Sequence, residues 1–431
     1  MIDLLAARSQ MAVSLGFHII FACIGIAMPF FMAVAHWKWL RTGQQVYLEL
    51  TRAWLKGVAI FFAIGAVSGT VLSFELGLLF PKFMEVAGPI IGLPFSLEGV
   101  AFFLEAIALG FFIYGWNTIN RWVHWASGVI MGIAGAVSGL IVICANGWMN
   151  SPAGFDWVDN QAINIDPFAA MLNNASLHQG IHMTIAAFAA TGFAVAGIHA
   201  FLLLKNKNIP FHQAAVKIAL IFGATASLLQ PISGDFISRH LTEHQPEKAA
   251  AMHAQFKTQK GAPLLIGGIP LEKEKTVKFG IYIPGMLSLL AHHDFNAEVT
   301  GLDAFPEENH PPVAVVHFAF QTMVGIGIFL VGLSALYFLF VIKKPHLVFH
   351  SLYLKCLVFA IPLGFIAVQA GWVVTEVGRQ PWIIYRIMKV SEAVTPMPGL
   401  IIPFLLFTGI YILLSFVAVW LLLRQIKAVK T

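Results

Sequence analysis

The chain has 431 residues, is 58% hydrophobic and 11% charged, and has a mean hydropathy of +0.79. Soluble domains carry roughly a quarter of their residues charged, so this composition excludes a soluble protein and indicates one that crosses a membrane many times. The net charge of +5 is spread over connecting segments and gives no nucleic-acid signal, and Cys23, Cys144 and Cys356 lie in apolar runs without CxxC or CxxCH, which leaves neither a zinc site nor a covalently attached c-type haem.

The first apolar run, near residues 10–36, is too long for a signal-peptide core and lacks a basic leader, so it is expected to be retained as span one. Further runs predict spans near 54–80, 93–115, 123–148, 181–205, 215–233, 313–342, 352–374 and 398–424. Their lengths fit helices rather than barrel strands. The expectation is an all-α integral membrane protein with nine spans and no internal repeat, low-complexity tract or broken helix. It divides into six spans over 1–233, a hydrophilic segment over 234–312 and three spans over 313–431. That segment holds Asp235, Arg239, Lys248, Lys257, Glu272 and Lys275. Loops this long are usually functional or disordered. With the N-terminus outside, the inner segments hold fourteen Lys and Arg and the short outer segments five. That excess predicts an N-terminus and a long loop facing outward and a cytoplasmic C-terminus.

Polar side chains inside the spans gather at one level in this orientation. His18 lies early in span one and Glu98 early in span three. His178 and His182 open span five, Met323 lies about three turns into span seven, and Glu376 ends span eight. Convergent polar groups inside a bundle are where cofactors are held. Imidazole, thioether and carboxylate together suit haem iron. Each also has an ordinary reading: a lone Met packs, and a lone membrane His bonds a neighbouring helix. His178 and His182 are four apart on one face, and both are candidates. Glu105 follows Glu98 by two helical turns, about 10 Å deeper. Two buried acids stacked along one helix suggest a proton relay, which Ser138 in span four would extend toward the cytoplasm.

The stretch Gly371–Trp382 carries Trp372, Glu376, Arg379 and Trp382 at the end of span eight. Glu376 and Arg379 share a face on a continuing helical turn. Gly378 and Pro381 then stop or bend the helix.

Several motifs resemble subunit I of the cytochrome bd oxidases across essentially the whole chain. They are Glu376-Val377-Gly378-Arg379-Gln380-Pro381-Trp382, Ala145-Asn146-Gly147-Trp148-Met149, and Leu97-Glu98-Gly99 through Phe102-Phe103-Leu104-Glu105. Shorter support comes from Arg8-x-Gln10, from Phe320-Gln321-Thr322-Met323-Val324-Gly325, and from Gln245-Pro246-Glu247-Lys248 in the long loop. The resemblance implies a quinol:oxygen oxidoreductase in a bacterial or archaeal cytoplasmic membrane. Its cofactors would be a low-spin haem b, a high-spin haem b and a haem d. A second membrane subunit would accompany the chain, with a small single-span one as a further candidate partner. By resemblance His182 and Met323 match the axial pair of the low-spin haem, which makes His182 the better choice over His178. His18 and Glu376 match axial ligands of the two high-spin haems, and Glu98 a carboxylate beside the oxygen-reducing haem, as a candidate sixth ligand. Glu105 and Ser138 match the cytoplasmic proton pathway. Arg379 and Trp372 match residues packed between the haems, and Lys248 the quinol-binding loop in its short form.

The chain departs from the family pattern at three places. His253 stands where the family usually has Glu, Gln321 stands where many members have Arg, and Glu98 and Glu105 are seven apart where some members have eight. Imidazole also accepts a proton, so His253 can take the carboxylate's part with an altered pH dependence. Two other readings follow from the sequence: a bd-like oxidase fed by another electron donor, and a haem-free proton-coupled transporter using Glu98, Glu105 and Glu376. The transporter reading would call for broken helices and repeats.

Overall fold

The computed structural model describes residues 2–206 and 209–428. Lys207 and Lys430, counted among the inner cations, lie outside the described residues. Among the described residues, nine helices are long and apolar enough to cross a membrane. They are α1 (Ile2–Thr42), α2 (Gln45–Leu79), α3 (Pro81–Tyr114), α4 (Arg121–Asn150), α5 (Ser176–Lys205), α6 (Pro210–His244), α7 (Val313–Lys343), α8 (Ser351–Val377) and α9 (Ile401–Ala428). Each apolar run of the sequence is one of these helices. Most helices extend well past their run, because polar end residues continue the backbone ladder in the interface.

Local signals set several ends. The Asn120 side chain accepts the Trp122 N–H at 2.9 Å and caps α4. Only Phe80 separates α2 from α3, and Pro81 opens α3, where its missing N–H removes no bond. One expectation fails in α8. Its helix is interrupted between Phe359 and Leu363, where Pro362 cannot donate to the ladder. Apolarity alone did not reveal that break.

α5 is the most enclosed helix, with 72% of its apolar window buried, and α9 the least, with 11%. Small residues let neighbours approach α5 closely. Gly192 meets the backbone of Gly223 in α6, and Gly364 of α8 meets Ala190. The outward faces of α2, α3 and α9 carry exposed Phe, Leu, Ile and Val, as lipid-facing surfaces do.

The long connection is more structured than its sequence suggested. α6 runs on to His244, so Asp235 and Arg239 are helical and pair at 2.7 Å rather than lying in a loop. A seven-residue loop helix (Pro246–Met252) follows. Then comes an antiparallel hairpin of β1 (Leu264–Leu271) and β2 (Thr276–Ile283), in which Leu264 faces Ile283 and Leu271 faces Thr276. Buried Ala251, Met252, Leu265, Val316 and Val374 join the loop helix and hairpin to α7 and α8.

Candidate haem and electron-donor sites

Two histidines are oriented by serines the sequence reading did not single out. The Ser68 hydroxyl of α2 lies 2.9 Å from Ile64 O and 3.0 Å from His18 Nδ1; giving its one hydrogen to the carbonyl leaves it to accept from Nδ1–H. Ser233 of α6 donates to Gln230 O at 3.0 Å and accepts from His182 Nδ1 at 2.8 Å. With both hydroxyl hydrogens on carbonyls, each ring carries Nδ1–H and an Nε2 lone pair, which is how a metal-binding imidazole is usually fixed. At His182 that lone pair faces the Gln230 amide at 2.9 Å, and Gln230 must turn aside before Nε2 takes a metal. His178 points elsewhere, with its ring 5.6 Å from His240.

Glycines clear the space around these candidate ligands. A Cβ at Gly69 would come within 2.9 Å of His18 Cε1, and one at Gly371 within 3.1 Å of Met323 Sδ. Gln369 of α8 donates to Gly16 O of α1 at 2.6 Å, which sets α8 beside His18. Trp372 packs in the cluster that includes Leu15 and Ile19 around His18 and Met183 and Ala186 around His182. Its indole Nε1 is buried without a partner.

Glu376 is held at both oxygens. Asn146 of α4 donates to Oε1 at 2.5 Å and Arg379 to Oε2 at 2.5 Å. Arg379 is 3% exposed, and its Nε and one terminal nitrogen have no partner. Buried donors are rarely left unpaired, so these point to an anion that completes the site. A haem propionate has that chemistry. Together with single His, Met and Glu ligands on facing helices, the donor set fits haem. Among the described residues no three His, Cys, Asp or Glu gather as a bare-ion site would need.

Glu98 and Glu105 both face α4, but at different partners. Ser138 donates to Glu98 at 3.0 Å, whereas buried Glu105 rests against Gly135. Because α4 runs antiparallel to α3, Ser138 sits level with Glu98. It does not extend the pair beyond Glu105 as the sequence reading expected.

Lys248 and His253 both belong to the loop helix and its end, yet their heads do not meet. Lys248 is buried and donates to Asn150 Oδ1 at 2.6 Å. Asn150 in turn donates to Asn146 Oδ1 at 3.1 Å, so Lys248 joins the group around Glu376. Burial and then the Arg379 charge push its ammonium well below the ordinary value, against the pull of Glu376. His253 caps the loop helix and packs edge-on to Phe320 at 5.0 Å. It lines a narrow cleft with Ser238, Thr242, Gln255 and Leu287, and its buried Nδ1 has no partner. Burial, and next the charge of His317, lower its pKa to about 4.

The family "Cytochrome bd terminal oxidase subunit I" matches residues 6–430. The chain belongs to that family. It is 33% identical to the putative cytochrome bd menaquinol oxidase subunit I of Bacillus subtilis, over 99% of this chain and 97% of that protein. It is 31% identical to the cytochrome bd ubiquinol oxidase subunit 1 of the same organism, over 99% and 94%. The solved bd oxidase from Geobacillus thermodenitrificans superposes with a TM-score of 0.93 at 35% identity, covering 99% of this chain and 98% of that one. As a bd-type subunit I the chain is a multi-pass membrane oxidoreductase, and the haem reading of the site agrees with its family. Ser68, Ser233 and Asn150 carried no signal in the sequence. Asn146 did, through the Ala145–Met149 motif.

Proposed function

We propose that the chain is the haem-bearing subunit of a terminal oxidase that oxidises quinol at its long outer loop and reduces oxygen to water with cytoplasmic protons. The observation that carries this reading is the buried Arg379 beside Glu376, whose unpaired nitrogens call for an anionic cofactor between α1, α4 and α8. His182 and Met323 would hold a low-spin haem b. His18 and Glu376 would each hold one of a high-spin haem b and a haem d, with Glu98 nearby. Bound there, these groups carry electrons and reduce oxygen.

The chain's own residues do the rest. His253, neutral and with Nδ1 free, accepts a proton from a quinol hydroxyl that meets it at the end of the loop helix. Lys248 anchors that helix to α4. Arg379 and Trp372 present buried N–H groups to cofactor carboxylates. Glu105 and Glu98, with Ser138 at the level of Glu98, pass protons inward from the cytoplasmic side. Opposed release and uptake of protons separates charge without a pump. The lysine and arginine distribution supports an outer N-terminus, a cytoplasmic C-terminus and residence in the bacterial cytoplasmic membrane. A second membrane subunit, and a small single-span one, would complete the complex.

The test is a pyridine haemochrome assay and a reduced-minus-oxidised spectrum of the purified complex, beside Met323→Leu. The variant is expected to lose the low-spin b band. Absence of haem, or an unchanged low-spin band, would overturn the reading.

A further inference from the structure

His317 has no part in the site described above, yet its surroundings are unusual. It is fully buried on α7. Its Nδ1 lies 3.0 Å from Met252 O and its Nε2 2.9 Å from Gly267 O. Carbonyl oxygens only accept, so both ring nitrogens must donate. A neutral imidazole has one N–H and an imidazolium has two. A neutral ring would set one of its lone pairs against a carbonyl oxygen about 3 Å away, leaving a buried ring nitrogen without its hydrogen bond.

The two carbonyls belong to different parts of the loop. Met252 ends the loop helix, where a cation is favoured by the exposed carbonyls of the last turn. Gly267 lies in β1 with φ +63°. One turn further along α7, Gln321 holds the same strand, donating to Leu265 O at 3.0 Å and accepting from Gly267 N at 3.3 Å. His317 and Gln321 thus dock the hairpin onto α7, and His317 also grips the residue immediately before His253.

We infer that His317 stands as a buried imidazolium that positions His253 and keeps it a neutral proton acceptor at the donor site. This rests on the quinol reading above. Other charged groups around His253 are engaged elsewhere. Glu247 accepts from Tyr385 and Arg386, Lys248 donates to Asn150, and Asp303 accepts from Thr258. Asp235 pairs with Arg239 and stands 3.8 Å from His293, and His244 turns to His240 O. The charge that His253 feels is that of His317.

The consequence is a pH profile. His253 accepts a proton only when neutral, so donor oxidation falls as pH drops through its pKa. A neighbouring cation holds that pKa down, and its removal raises it.

The experiment compares purified wild-type complex with His317→Gln and His317→Phe, using menadiol as donor and oxygen uptake as readout from pH 3.5 to 8. The haem spectrum checks assembly, and limited proteolysis reads hairpin docking. The acid limb of menadiol oxidation is expected to move up by about one pH unit in His317→Gln. The hairpin should be cut several-fold faster in His317→Phe. An acid limb that stays in place in an assembled His317→Gln complex would overturn the inference, as would unchanged proteolysis in His317→Phe. If wild-type complex oxidises no quinol but still reduces oxygen with a dye donor, the quinol reading fails. The proteolysis arm then still decides whether His317 latches the loop.

Discussion

The approach of α2 to His18 gives the sharpest test of the ligand geometry. In Gly69→Ala the new Cβ would stand 2.9 Å from His18 Cε1 and 3.5 Å from each ring nitrogen. Carbon atoms prefer about 3.5–4.0 Å, so the ring must retreat by at least about 0.6 Å. Retreat also pulls Nδ1 from Ser68, whose bond fixes the tautomer. Overpacking costs about 1–3 kcal/mol, while Ala in place of a mid-helix Gly returns about 0.5–1 kcal/mol. Net stability therefore changes by no more than about 2.5 kcal/mol, and the protein should still fold. The ligand is far more sensitive, because sites tolerate about 0.5 Å of misplacement before function suffers. The expected result is a complex of near-normal melting temperature that has lost or shifted one high-spin haem signal. Gly77→Ala on the same helix, where nothing lies within 4 Å, is the control. Equal high-spin haem content and spectra in both variants would refute the placement of His18 as an iron ligand.

Two further outcomes follow from single contacts. Ser138→Ala removes the donor to Glu98 at 3.0 Å, a loss of about 1 kcal/mol; oxygen reduction should slow while menadiol-driven haem reduction stays unchanged, and slowing of both would contradict the assignment. Lys248→Gln keeps a donor toward Asn150 but removes a cation whose pKa is depressed in the fold. A base with a lowered folded pKa stabilises least below that pKa and gains as pH rises toward 10.5. The variant should therefore match or exceed wild-type melting temperature at pH 7 and lose that advantage by pH 9.5; a constant deficit at both would show that Lys248 is charged and paired.

The helices were legible because a bilayer demands some twenty apolar residues per span, and few other structures do. The break before Pro362 was not, since the flanking residues stay apolar across it. Within the site, local relations were readable: Glu376 and Arg379, three apart, do pair. Relations across helices were not. Ser138 was expected to lead toward the cytoplasm, and the antiparallel course of α4 brings it to Glu98 instead. The serines behind His18 and His182 lie fifty and fifty-one residues away in sequence, and no periodicity marks them. Gln321, which stands where many family members have Arg, carried no sign of its partner in the sequence. In the fold it bonds the hairpin, while a histidine one turn earlier carries two carbonyl contacts.

The loop helix shows why its two marked residues should be separated in function. Five residues along a helix turn the side chain by about 140°, so Lys248 and His253 cannot both face one small molecule from the same stretch. Lys248 faces inward, and from it a continuous chain runs through Asn150 and Asn146 to Glu376. His253 faces the cleft with an unpaired nitrogen. A residue that is buried and already bonded is poorly placed to exchange partners with a diffusing substrate. One that is uncharged, unpaired and beside a cleft is well placed to do so. The chain of amides also makes the position of the loop helix felt at Glu376, because withdrawal of Lys248 removes the donor to Asn150 Oδ1 at the head of the chain. On the proposed reading, donor chemistry at His253 and ligand geometry at Glu376 would be joined through one loop helix, at its C-terminal cap and on its inner face.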